Sequence, residues 1–178
     1  DEELRQVYVA AQATTETAPA GARLYVYTSE THDLITAVNA GENPTDLALS
    51  LLGDLIILAA GGLPRPAYPV EGEGDAVPDT TPVTGLAFYN EHAIRFDTEP
   101  AAVMELGEPA RLLVSPHTGA LFALLLQSGE LRTWDEESLR EWLAQNPRPL
   151  EGPPPLHSLS LATDFSGGDS QSNPALRG

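Results

Sequence analysis

The stretch Ala110-Arg-Leu-Leu-Val-Ser-Pro-His-Thr-Gly-Ala-Leu-Phe-Ala-Leu-Leu-Leu126 sets two apolar runs on either side of Ser115-Pro-His-Thr-Gly119. Short apolar runs bounded by turn-forming residues read as strands, and Gly119 supplies the positive φ of a hairpin loop. Ala120 to Leu126 is apolar at every position, which predicts a central strand covered on both faces. The same texture extends outward in both directions. Leu86-Ala-Phe-Tyr89 and Ala93-Ile-Arg-Phe96 read as strands around an Asn90-Glu-His92 turn, followed by a strand from Ala102 to Leu106. Downstream, Gln127-Ser-Gly-Glu130 is a turn and Leu131 to Trp134 a further strand. Asp135 then caps a helix from Glu136 to Gln145 whose apolar face is Leu139, Trp142 and Leu143.

The N-terminal part reads differently. Leu4, Val7, Tyr8 and Ala11 fall at helical spacing, predicting a short amphipathic helix over residues 2–12. Arg23 to Thr28 is rich in β-branched and aromatic residues and reads as a strand. Asn43-Pro44 resembles a helix start, with Leu47, Leu51, Leu55 and Leu58 repeating on one face. Gly53-Asp54 interrupts that run, so a helix followed by a buried strand from Leu55 to Ala59 is the alternative. The expected fold is therefore α+β: a mostly antiparallel sheet flanked by helices on one face. Its parts are a helix–strand–helix unit over 1–61, an acidic Pro/Gly loop over 64–83, and sheet plus helix over 84–145. An extended proline-rich strap and polar tail follow over 146–178.

Charge narrows the function classes. The 178 residues carry 26 acids against nine basic side chains, all arginine, for a formal net charge of −17. Such a field repels phosphate, which argues against direct binding to nucleic acid or an anionic membrane, and favours a basic protein as partner. With no apolar run of bilayer length and no N-terminal signal pattern, the cytoplasm is the default location. There is no cysteine, which removes disulfides, thiolate metal sites and cysteine nucleophiles.

Few residues suggest chemistry. His32, His92, His117 and His157 lack ligand spacing, and no metal or cofactor is expected. Ser115 and His117 imitate a nucleophile–base pair, yet turn formation explains them. Glu71, Glu73 and Asp75 alternate with glycine but fail the calcium-loop pattern, since Pro82 occupies its twelfth place. The candidate partner-binding residues are the acids Glu71, Glu73, Asp75 and Asp79 of the loop, together with Asp97, Glu99, Glu105 and Glu108. A hydrolase built on paired carboxylates is a minor alternative, as any two acids can face each other across a cleft.

Residues 62–143 also resemble the SUKH superfamily of bacterial immunity proteins. The resemblance is carried by Gly62-Leu-Pro64, Gly85-Leu-Ala-Phe88, Val103-Met-Glu-Leu-Gly107, Leu112 to Phe122, and Glu137-Ser-Leu-Arg-Glu-Trp-Leu143. It implies an α+β domain that neutralises a toxin, such as a nuclease or deaminase, by occluding it, with no catalytic residues to carry over. The leading expectation is thus a non-catalytic, immunity- or antitoxin-like binding module. The alternative is an assembly component of a phage, secretion system or compartment whose 146–178 strap drapes over a neighbouring subunit.

Overall fold

In the computed structural model, which describes residues 6–12, 21–65, 81–97, 99–145 and 150–161, strands account for about half of the described residues and helix for under a tenth. The described residues form three antiparallel sheets. The first contains β1 (Gln6–Gln12), β2 (Ala22–Thr28) and β3 (Leu34–Asn39), in that order. The second is β4 (Glu42–Leu49), β5 (Leu55–Leu63), β6 (Val83–Asn90) and β7 (Ala102–Glu105). The third consists of β8 (Ala110–Val114), β9 (Leu121–Leu125), β10 (Glu130–Trp134) and β11 (His157–Ser160). A single helix, α1 (Glu136–Leu143), joins them among the described residues. The expected α+β class with helices flanking one sheet is therefore incorrect: this is a β architecture in layers.

The layering follows from side-chain parity. Successive residues of a strand point to opposite faces, so a strand apolar on both faces can serve two cores. In β5, Ile56, Leu58 and Ala60 join one buried cluster with Leu24, Val26 and Val38 from β2 and β3. Ile57 and Ala59 join a second cluster with Leu121, Ala123, Trp134 and Trp142. In β6 the division repeats, Ala87 and Tyr89 on the first side and Leu86 and Phe88 on the second. The β4–β7 sheet is thus the middle layer. The central covered strands are β5 and β6, not the 120–126 segment, where β9 buries Leu121, Ala123 and Leu125 and leaves Phe122 and Leu124 half-buried.

Three local predictions fail for identifiable reasons. The segment read as a helix from Asn43 is a hairpin. Gly53 has φ +72°, the Ser50 amide donates to the Leu55 carbonyl, and Ser50 Oγ accepts the Leu55 amide at 3.1 Å. The leucine repeat spans the turn by coincidence, leaving Leu51 and Leu52 exposed at its tip. The expected N-terminal helix is β1, whose Tyr8 and Ala10 pack on the first core while Val7 and Val9 point away. Ala93 to Phe96 is a wound turn rather than a strand: Asn90 Oδ1 accepts the His92 and Ala93 amides, and the Ile94 amide donates to the Asn90 carbonyl. That turn inserts Ile94 into the first core.

The helix matches its prediction at its start. Asp135 caps it, accepting from the Ser138 amide at 2.7 Å, and Trp142 meets Phe88 edge-on at 5.5 Å between ring centroids. Residues 150–161 lie on their own domain. The Leu150 carbonyl accepts from the β7 amide of Glu105, Trp134 Nε1 donates to the Pro153 carbonyl at 2.9 Å, and β11 pairs with β10. The middle and third sheets are clasped along β4 and β8, where Asp46 accepts the Leu112 amide and Thr45 Oγ1 donates to the Ala110 carbonyl, both at 2.8 Å.

Candidate functional site

Of the acids singled out in the sequence, the four among the described residues do not assemble into one patch. Glu71, Glu73, Asp75 and Asp79 lie outside the described residues. Asp97 and Glu99 do come together, on the rim of a pocket of about 230 Å³ floored by Tyr89 and Ile94. The Tyr89 hydroxyl donates to the Asn39 carbonyl at 2.7 Å, and burial, reinforced by Glu99, pushes its ionisation well above the ordinary tyrosine value. The phenol is therefore a structural donor at neutral pH. Glu105 stands on the edge strand β7, 3.6 Å from Arg65. Glu108 Oε2 accepts the Gln127 and Ser128 amides at 2.5 and 2.9 Å, which fastens the β9–β10 turn. Desolvation raises its carboxyl, but those donors together outweigh it and hold it below the usual carboxylate range.

The catalytic candidates are occupied locally. Ser115 Oγ accepts the His117 and Thr118 amides, the signature of a turn hydroxyl. His92 Nδ1 contacts Glu91 at 2.9 Å, and Glu91 in turn accepts from the Tyr8 hydroxyl at 3.2 Å, but the imidazole stands in solvent. Among the described residues no three His, Asp or Glu side chains gather as a metal site. None of the described helices is long and apolar enough to cross a membrane.

What the fold does build is a pair of outward-facing sheet surfaces. On the β8–β11 sheet, the inward positions Ala110, Leu121, Ala123 and Leu125 belong to the second core. The positions of the other parity form two cross-strand rows, Leu113–Phe122–Thr133–His157 and Arg111–Leu124–Leu131–Leu159, in which Thr133 is buried and Phe122, Leu124 and Leu131 are half-buried. Leu113 is 64% exposed and Leu159 49% exposed. None of these eight side chains is a carboxylate, in a chain with 26 acids. Arg111 is held at the sheet edge by its bond to the Thr45 carbonyl. Acids stand at both ends of the face: Glu108 beside the β9–β10 turn, and Asp135 with Glu136 and Glu137 where β10 runs into α1. The Asp135 carboxyl is held below its ordinary value, first by the Ser138 amide and then by the Ser138 hydroxyl, so it remains charged.

The β1–β3 sheet has an equivalent face. Its outward rows are Val7–Tyr27–Leu34, Val9–Tyr25–Ala37 and Ala11–Arg23–Asn39. Tyr25 and Tyr27 stack along β2 with centroids 6.2 Å apart. Sequence reasoning missed both faces because it assigned β1 to a helix and β11 to the tail. The alternation was there to be found: Val7/Val9 and Tyr25/Tyr27 each sit at i, i+2. No protein-family model matches the chain, and no curated protein matches it in sequence.

Proposed function

We propose that the protein is a non-catalytic binding module that docks onto a basic protein through the outer face of the β8–β11 sheet. The observation that carries this reading is the acid-free apolar face, Leu113 and Phe122 over Leu124 and Leu131, flanked at its ends by Glu108 and the Asp135–Glu137 acids. Protein interfaces have that anatomy: an apolar core depleted of charge, inside a polar rim. The net charge of −17 steers a basic protein toward the molecule, and the apolar rows supply the short-range contact. A toxin such as a nuclease or deaminase, the partner class implied by the SUKH resemblance, meets this description. The reading moves the contact surface away from Asp97, Glu99 and Glu105, which lie elsewhere on the middle sheet and its connections.

The experiment is capture of partners from a host extract by the wild-type chain, by Leu113→Glu with Phe122→Glu, and by Asp97→Asn with Glu99→Gln. Retention of a basic protein by the wild type and the second variant, with loss in the first, is expected. Loss in the second variant with retention in the first contradicts it.

A further inference from the structure

The β1–β3 face differs from the β8–β11 face in how its charges are arranged. At one end of β2 stands Arg23, the one charged side chain in the three outward rows. At the other end, the Thr28–Asp33 turn carries Glu30 and Asp33, both exposed. That turn is internally braced: Thr31 Oγ1 donates to Asp33 at 2.6 Å, and the Asp33 amide donates to Thr28 Oγ1 at 3.1 Å. Between the two ends lie only Tyr25, Tyr27, Val7, Val9, Leu34 and Ala37. Val7 and Val9 are each 42% exposed, and Leu34 is 55% exposed.

We infer that this face is a homodimer interface, in which a second copy of the chain packs sheet against sheet about a two-fold axis crossing β2 at Val26, between Tyr25 and Tyr27. An axis in the plane of contact and perpendicular to the strands sets the two β2 strands antiparallel. It then brings Arg23 of each copy opposite Glu30 and Asp33 of the other, and places the tyrosines against the partner's tyrosines. An isologous contact needs such a self-complementary surface, and the opposite charges at opposite ends of one strand provide it. The acid-free centre matters equally. Two molecules of charge −17 repel each other, and a face without carboxylates is where that repulsion is least. An unrelated basic partner gains nothing from this centre, whose single charge is a guanidinium.

Size sets the strength. Seven residues at about 3.3 Å each and three strands about 4.8 Å apart give a footprint of roughly 23 by 14 Å. With side-chain relief this buries on the order of 1,000 Å² in total, at the lower edge of specific interfaces. An interface at that lower edge makes a weak, reversible dimer that dissociates on dilution. Because the surface is on the opposite outer sheet, it leaves the proposed partner face open.

Sedimentation equilibrium of the full chain across a dilution series tests this. The wild type is expected to show a reversible monomer–dimer equilibrium, and Arg23→Glu weakens it by at least about tenfold, since two cross-contacts become repulsive. Adding Glu30→Arg to Arg23→Glu, which leaves the Asp33 brace of the turn intact, restores it by exchanging the charges. Tyr25→Glu gives a monomer, while Leu113→Glu on the other outer sheet leaves the dimer unchanged. These surface variants are checked for wild-type circular dichroism. A wild type that stays monomeric at the highest concentration, an undiminished dimer in Arg23→Glu, failure of the charge exchange to restore it, or a dimer abolished by Leu113→Glu each overturns the inference.

Discussion

Asp54→Asn provides a sharp test of how the helix is fixed to the sheets. Asp54 closes the β4–β5 hairpin and accepts a bidentate pair from Arg140 on α1, both bonds at 2.9 Å. Arg140 also donates to Glu136 one turn earlier, and Ser50 Oγ donates to Asp54 at 2.7 Å. The Arg140 hydrogen bonds, against an opposing desolvation, hold the Asp54 carboxyl at about 2 rather than 3.8. That difference corresponds to at most about 2.5 kcal/mol. The two side chains are 34% and 35% exposed, so solvent screening reduces the contribution to about 1 kcal/mol. Substitution to asparagine keeps the shape and removes the charge. It also relieves one of seventeen excess negative charges, so a net loss of stability must come from the local pair. The sign is fixed by the depressed carboxyl: its stabilisation is fully present above about pH 4 and disappears as the pH falls through about 2. Urea denaturation at neutral pH is expected to show Asp54→Asn less stable by about 1 kcal/mol, a fall of about 2–4 °C in Tm. The gap between the two proteins closes on acidification, and Arg140→Gln combined with Asp54→Asn costs less than the sum of the singles. A gap that persists unchanged at pH 2, or no gap at neutral pH, refutes the role assigned to this pair.

Two further outcomes follow from the packing. Gly85→Ala places a methyl against the Met104 carbonyl oxygen, backbone that cannot yield, and is expected to cost about 3 kcal/mol or to prevent folding. Gly107→Ala meets no atom but must hold φ near +82°, so its cost is about 1 kcal/mol; equal urea midpoints for the two variants contradict this account of the β6–β7 contact. Glu108→Ala removes the acceptor for the Gln127 and Ser128 amides. Their hydrogen exchange is expected to accelerate several-fold while exchange in β5 stays unchanged, and unaffected turn amides rule the tether out.

Much of the third sheet was legible because its signals are local. Gly119 and Gly129 mark turns between β-type runs, and Asp135 with Ser138 three residues on announces a helix start. In the middle sheet β6 and β7 read as strands, but β4 reads as helix and β5 stays open between helix and buried strand, because a strand buried on both faces loses the alternation that identifies strands. The N-terminal strand was hidden by a chance coincidence, since Val7, Tyr8 and Ala11 satisfy helical spacing while Tyr8 and Ala10 satisfy strand spacing. Only pairing with β2, a non-local contact, decides between them. Beyond α1, a four-residue strand of His157-Ser-Leu-Ser160 carries too little sequence signal to be separated from a polar tail. Its partners are Thr133 to Glu130, and the aligned outward leucines at 124, 131 and 159 exist only once that register is set.

The charge pattern had a similar fate. Composition correctly isolates the excess of acids, but the informative feature is where they are missing. Of the predicted acids, Glu108 fastens a turn and Glu105 sits beside Arg65, whereas both outer sheet faces are free of carboxylates. Recognising that requires strand registers, which place residues from distant parts of the chain in one row.

The central claim, that the outer face of the β8–β11 sheet is where another protein docks, is tested most directly by photo-crosslinking in the native host. A photoreactive residue is placed at position 113 or 122 on the face, and at position 97 beside the Tyr89 pocket as comparison. A discrete adduct with a basic protein from positions 113 and 122, absent from position 97, is the predicted result. An adduct from position 97 alone contradicts the account.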